Sequence, residues 1–387
     1  MTRAGDLIYL DNAATSFPKP KSVVEAVQHA MLQLAAAGRG SHRLAEQADR
    51  VVAETREQLG RLFLVDSSRF IFCQSGTDAL NLVLLGYLNP GDHVVVTQAG
   101  HNSVLRPLHD LVVNRQLEVS CVSCDELGQV QAEDIMGEVK DETRLVILTH
   151  VSNVTGAIEP VEEIARILGP HRAALLVDAS QSAGHLSLDL GQLPIDFLAT
   201  SGHKGLLGPL GTGVAYIREG FENKVQPLRY GGTGSSSDEA IQPNDMPTKY
   251  EAGNLNVPAI AGLGAGLRYL EENGLDSIRT FQAQWSSELA ERLSILPGVQ
   301  LKSPTAAEAH VGPTSFTVDG FDSREFSAIL DGSFGLQLRA GFHCAAEIHK
   351  ALETEKTGGT VRVSPGPMTT EHALDRLVEA MKSILGV

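Results

Sequence analysis

The sequence predicts an α/β chain with a mostly parallel central sheet, helices on both faces, and a smaller α+β domain at the C-terminal end. Two observations carry this. Up to about residue 255, short apolar runs that read as strands keep alternating with amphipathic stretches that read as helices. From there the texture changes to a Gly/Ala-rich helix, VPAIAGLGAGLRYLEENG, a second helical stretch through Leu296, and shorter strand candidates around SFTVDG and LQLRAG.

The strand candidates of the first part are HVVVT (93–97), RLVILTHVS (144–152), ALLVDAS (174–180), DFLATS (196–201) and GVAYI (213–217). Among the helices, VEEIARIL (161–168) is introduced by Pro160 and stopped by Gly169 and Pro170. FCQSGTDALNLVLLGYL (72–88) reads as strand, turn and helix. The Gly/Ser-rich GGTGSSSDEA (231–240) has the composition of a linker, but helical and strand signals resume on both sides, so a surface or active-site loop is the better reading. In such sheets the ligand site forms at the carboxyl ends of the strands.

The chain's 387 residues exceed what one hydrophobic core usually supports, and 42% hydrophobic with 20% charged residues is ordinary for a globular protein. A net charge of -16 argues against a nucleic-acid or anionic-membrane surface, although a locally basic phosphate pocket is compatible with it. No apolar stretch in residues 1–10 suits a signal peptide and no run reaches about 18 apolar residues, so the expected location is cytoplasmic. Four cysteines are too few for a disulfide framework. Cys121 and Cys124 form a CxxC in a strand-like stretch without a second ligand pair, so no metal site is expected.

The most informative stretch is SGHKGLLGPLGTG (201–213), which places Lys204 among small residues directly after an apolar strand. A lone Lys there is ordinarily a solvated charge. It acquires meaning from partners that a pyridoxal-phosphate site would need, namely a carboxylate at the ring nitrogen and an anion cradle. Asp178 ends the apolar strand ALLVD and can sit buried at the sheet edge, though a strand-end Asp also serves as a helix cap or turn. Gln181 and Asn153 are placed to reach a ring hydroxyl. Gly76 and Thr77 stand at a helix start, where free N–H groups and the dipole attract an anion, a pattern shared with ordinary caps. Ser201 and His203 flank the Lys and add side-chain donors. His101 follows a strand and a short turn, where an imidazole could stack on a cofactor ring or be merely structural.

Together with YLDNAAT (9–15), SGTDALNLV (75–83), HNSVLRP (101–107), THVSNVTG (149–156), VDASQSAGH (177–185), YEAGNLN (250–256) and RAGFHCA (339–345), these segments resemble the cysteine desulfurase family nearly end to end. The resemblance implies a fold type I, class V pyridoxal-phosphate transferase. It implies Lys204 as the Schiff-base lysine, Asp178 at the pyridinium nitrogen and His101 on the ring. Gln181 and Asn153 fall near the ring hydroxyl, and Gly76, Thr77, Ser201 and His203 at the phosphate. It implies a homodimer in which Gly253 and Asn254 serve the partner's phosphate site, Asn254 standing where a Thr is common. The implied division is a segment 1–15 packing with the small domain, a large domain over 16–270 and a small domain over 271–387.

RAGFHCA resembles the group II signature, in which the Cys accepts sulfur, with Phe342 replacing its first His. Cys344 is therefore the expected persulfide carrier, against the plain alternative of a small buried hydrophobe. Arg362, in GGTVRVSPG, matches the family's substrate-carboxylate Arg, and Arg339 is expected to support the same region, unless either is a structural ion-pair partner. The implied reaction converts L-cysteine to L-alanine, and the sulfur passes to an iron–sulfur scaffold, a sulfur-carrier protein or a reductant. Alternatives are a selenocysteine lyase acting on L-selenocysteine, an aminotransferase, epimerase or carbon–sulfur lyase that does not use Cys344, and an assembly partner without turnover.

Overall fold

The computed structural model describes residues 7–235 and 238–387; Ser236 and Ser237 of the 231–240 loop, and residues 1–6 of the N-terminal segment, lie outside the described residues. A short strand β1 (Ile8–Tyr9) and two helices, α1 (Lys21–Gln33) and α2 (Arg43–Leu62), precede the main sheet. Its strands are β2 (Phe70–Cys73), β3 (His93–Thr97), β4 (Glu118–Val122), β5 (Thr143–Thr149), β6 (Ala174–Asp178), β7 (Phe197–Ser201) and β8 (Gly213–Ile217). Helices α3 (Gly76–Tyr87), α4 (Asn102–Arg115), α5 (Ala132–Glu138) and α6 (Val161–Leu168) lie between them. Across the sheet the order is β2-β8-β7-β6-β5-β3-β4. The pairings from β7 to β4 are parallel, while β8 runs antiparallel to both β7 and β2.

Alternation along the strands builds two cores. Val95, Val146, Val177 and Leu198 face α2 and α6 with Leu59 and Ile164, and Val94, Ile147, Leu176 and Ala199 face α3 and α4 with Val83 and Leu111. Burial on both faces is why these strands read as unbroken apolar runs.

The rest of the chain is α7 (Val257–Asn273), α8 (Leu275–Ser294), β9 (Val299–Leu301), β10 (Thr314–Val318), α9 (Ser323–Phe334), β11 (Leu336–Gln337), β12 (Arg339–Gly341), α10 (Ile348–Ala351), β13 (Thr360–Val363) and α11 (Glu371–Leu385). Strands β12-β13-β10-β9 form an antiparallel sheet. A third core joins Trp285, Leu289, Phe316, Phe326, Val361 and Leu377 to Leu10. β1 pairs in parallel with β11, and Asp11 bridges to Ser364, which carries the start of the chain to the end of β13.

The expected strands at 93–97 and 213–217 and the helix at 161–168 coincide with β3, β8 and α6. β5 is shorter than the expected 144–152: the His150 N–H makes the last bond to β6, on the Asp178 carbonyl at 3.0 Å, and beyond it Val151 bridges to Ile158 instead. No helix among the described residues is long and apolar enough to cross a membrane.

Candidate active site

β5, β6 and β7 end side by side at Thr149, Asp178 and Ser201, and the loops that follow them, with the start of α3, close around a cavity of ≈ 200 Å³. Its lining includes Thr77, His101, Ser103, Asn153, Asp178, Gln181, Ser201, His203, Lys204, Arg339 and Arg362. The strand ends and the small sheet thus bring together residues spread over nearly the whole chain.

Asp178 is buried and its Oδ1 accepts the Ser180 N–H at 3.0 Å, which fixes the carboxylate at the strand end. Lys204 lines the same cavity, and its ammonium is lowered from 10.5 to about 8. Burial is the main cause; Asp178 opposes it, and the nearby Arg362 and Arg339 add to it. An amine in this state is available as a base or nucleophile near neutral pH.

His101 is the N-cap of α4. Its Nδ1 accepts the Ser103 N–H at 3.0 Å and lies 2.9 Å from the Ser103 hydroxyl. A backbone N–H can only donate, so Nδ1 carries the lone pair and the neutral ring holds its proton on Nε2. Burial, with Lys204, Arg339 and Arg106 outweighing Asp178, lowers this imidazole to about 4, so it is neutral at physiological pH.

The first turn of α3 is capped by Ser75, whose hydroxyl accepts the Asp78 N–H at 3.1 Å. A Cβ on Gly76 would lie 2.5 Å from Ser201 Oγ and 2.9 Å from Ser180 Oγ, so only glycine lets these hydroxyls crowd the helix start. His203 Nδ1 is buried without a partner, and burial lowers its ring to about 4. Its backbone carbonyl is held by Lys19 Nζ at 2.7 Å and by the Ser16 N–H at 3.1 Å.

Arg362, from β13, is buried in the cavity lining. It donates from Nη2 to Asp11 Oδ1 at 2.5 Å and from Nη1 to the Asn153 carbonyl at 2.9 Å, leaving Nε buried without a partner. Asn153 donates to the His343 carbonyl at 2.7 Å while its own Oδ1 stays unpaired. Gln181 donates to the Ala13 carbonyl at 2.9 Å.

Cys344 does not line the cavity; it is exposed beside it, with Arg339 Nη2 on its sulfur at 3.2 Å. His343 and Cys344 both adopt left-handed backbone conformations, φ 47° and 61°, which side-chain-bearing residues rarely occupy. The strain is held by anchors on either side: Asn153 on the His343 carbonyl and the Asn102 N–H on the Cys344 carbonyl at 2.8 Å. His343 itself is buried with Nε2 3.0 Å from the Thr360 carbonyl, and no hydrogen bond joins it to Cys344 among the described residues.

Gly253 and Asn254 are not brought to Lys204. They are exposed, and Asn254 lines a separate groove with Gln74, Gly213 and Arg229. This segment is tied to β2 by Glu251, which accepts two bonds at 2.9 Å from Arg56 and the Phe72 N–H at 2.7 Å. Cys121 is exposed and Cys124 half-buried, and no group of His, Cys, Asp or Glu among the described residues is arranged to hold a metal ion. Asp11 and Ser103 join the site without having been singled out as site residues, although both lie in segments noted for other residues.

The family model described as Aminotransferase class-V matches residues 8–377. The chain belongs to the class V aminotransferases. A probable cysteine desulfurase of Methanothermobacter thermautotrophicus is 35% identical over 99% of this chain and 96% of its own length. One of Pyrococcus abyssi is 34% identical over 99% and 93%. The apo structure of a cysteine desulfurase from Thermococcus onnurineus superposes with a TM-score of 0.92 at 34% identity, covering 99% of this chain and 95% of that one. For a class V aminotransferase the unpaired buried atoms are informative. Asn153 Oδ1, His203 Nδ1 and Arg362 Nε are costly to leave unmet, and all three residues line the one cavity, which suits a polar ligand that would meet them. A pyridine ring carrying a hydroxyl and a phosphate, together with an amino-acid carboxylate, fits this mixed set of donors and acceptors.

Proposed function

We propose that the chain is a cysteine desulfurase that carries pyridoxal 5′-phosphate on Lys204 and converts L-cysteine to L-alanine, leaving the sulfur as a persulfide on Cys344. The observation that carries this reading is the Arg339–Cys344 contact at the mouth of a cavity that already holds Lys204, Asp178 and Arg362.

The bound cofactor supplies an electron sink for negative charge at the substrate's α-carbon. Asp178 would hold the ring nitrogen protonated, His101 would cover the ring face, and Asn153 and Gln181 would meet the ring hydroxyl. Gly76, Thr77, Ser201 and His203 would hold the phosphate at the start of α3. Arg362, buried in the cavity lining, receives the substrate carboxylate, with Arg339 in the same lining. The Lys204 amine removes the α-proton, and the His101 Nε2–H holds a proton at the cavity wall. The Cys344 sulfur attacks the sulfur of the substrate. An S–S bond forms, the C–S bond breaks, and its electron pair stays on the carbon that is protonated to the alanine methyl.

The same reading includes a homodimer in which Gly253 and Asn254 reach the partner's phosphate site. Support comes from their exposure on a segment clamped by Arg56 and Glu251. It also includes the division into a large domain over 16–270 and a small one over 271–387 that holds the N-terminal segment, a cytoplasmic location, and delivery of sulfur to an acceptor for iron–sulfur cluster assembly.

The test is Cys344→Ala. The variant is expected to keep the absorbance of Lys204-bound cofactor and to lose alanine formation from L-cysteine. Unchanged alanine formation overturns the persulfide step.

A further inference from the structure

Three hydroxyl and imidazole groups form a line along one wall of the cavity. Thr77 Oγ1 at the start of α3 is 2.7 Å from Ser103 Oγ, and Ser103 Oγ is 2.9 Å from His101 Nδ1. Ser103 is 9% exposed, so its hydroxyl has little access to water. It therefore divides its single proton between two neighbours, Thr77 and His101.

The two neighbours want different things from it. His101 Nδ1 can only accept, because the Ser103 N–H points at it, and its single lone pair is shared between that N–H and the Ser103 hydroxyl when the hydroxyl turns toward the ring. Thr77 can accept from Ser103 or donate to it. When the cavity end at α3 holds no anion, Thr77 is free to donate to Ser103, and Ser103 then donates to His101. A phosphate at the start of α3 demands donors, so Thr77 gives its proton to the anion and offers Ser103 only a lone pair.

We infer that Ser103 is a positioning residue that couples the phosphate-binding end of the site to His101, turning its hydroxyl from His101 to Thr77 when the anion binds. The inference rests on the cofactor reading above, which puts the phosphate at Thr77. In the loaded site His101 keeps only the backbone N–H of Ser103 on Nδ1, which holds the ring in its Nε2–H form while withdrawing a second donor. A hydroxyl donor favours the neutral ring, so its removal makes the imidazole a better proton acceptor once the cofactor's phosphate is in place.

The experiment is nitrogen NMR of the full chain carrying ¹⁵N-histidine, freed of cofactor, at neutral pH, with and without inorganic phosphate. In the wild-type chain phosphate is expected to move the His101 Nδ1 resonance downfield, as an acceptor that has lost a donor, with the Nε2–H tautomer retained. In Ser103→Ala the Nδ1 resonance is expected already to lie downfield without phosphate, and phosphate adds little. The buried His93, at the opposite end of β3, shows in the same spectra that the variant is folded. An equal phosphate-induced shift in both chains overturns the coupling and leaves the cofactor reading intact. No phosphate-dependent change at His101 or at His203 in the wild-type chain overturns the cofactor reading and the inference with it.

Discussion

Arg339 places its guanidinium 3.2 Å from the sulfur of Cys344, a residue five positions on that is held in a strained left-handed turn. The contact turns the charge of β12 outward to the one exposed thiol at the cavity mouth. A cation beside a thiol promotes its reaction with electrophiles. Arg339→Ala is expected to slow alkylation of Cys344 by about tenfold at neutral pH, with Arg339→Lys between the two; peptide mass spectrometry of timed iodoacetamide reactions reads the rate.

Asp11 and Arg362 lie 351 positions apart and meet at 2.5 Å with the guanidinium fully buried. Removing one partner of such a pair leaves an uncompensated charge. Asp11→Ala is expected to cost about 3 kcal/mol in denaturant unfolding. Arg362→Lys keeps the charge but loses the fork, and its expected signature is a rise in KM for L-cysteine of about tenfold or more.

The buried position of Lys204 lowers its ammonium from 10.5 to about 8. Condensation with an aldehyde needs the free amine, so the rate of borohydride-trapped labelling of Lys204 by pyridoxal 5′-phosphate is expected to rise with pH around a midpoint near 8. A midpoint at the ordinary lysine value would show that the cavity does not desolvate the amine.

Glu159, in the loop between β5 and α6, has Oε2 on the Val130 N–H at 3.1 Å and Oε1 buried without a partner. Burial raises its carboxyl from 4.5 to about 8. The folded chain therefore keeps a proton that the unfolded chain releases over that window, and stability falls as pH rises from 4.5 to about 8. Glu159→Gln is expected to flatten the thermal-unfolding profile across this range and to stabilise the chain by ~2 kcal/mol at its upper end.

Much of this was legible in the sequence for a physical reason. β3, β6, β7 and β8 are buried on both faces, so each is a short apolar run with sharp ends, and Asp178, Ser201 and Lys204 stand at those ends. The antiparallel direction of β8 has a local signal too, since the stretch between Ser201 and Gly213 is too short for a crossover helix and leaves only an antiparallel return. Local pattern could not pair Asp11 with Arg362, whose meeting depends on β1 joining β11 and on Asp11 bridging to Ser364. Ser103 was hidden differently. It sits two residues past His101 as an unremarkable helix-start serine, and only the approach of α3 to α4 gives its hydroxyl two partners.

The central claim is that sulfur leaves L-cysteine and comes to rest on Cys344. The measurement that tests it most directly is the intact mass of the peptide containing Cys344 after the cofactor-loaded chain is incubated with L-cysteine and quenched without reductant. A gain of one sulfur on that peptide, absent in Lys204→Ala, is the predicted result. Alanine produced while that peptide keeps its original mass would contradict the account.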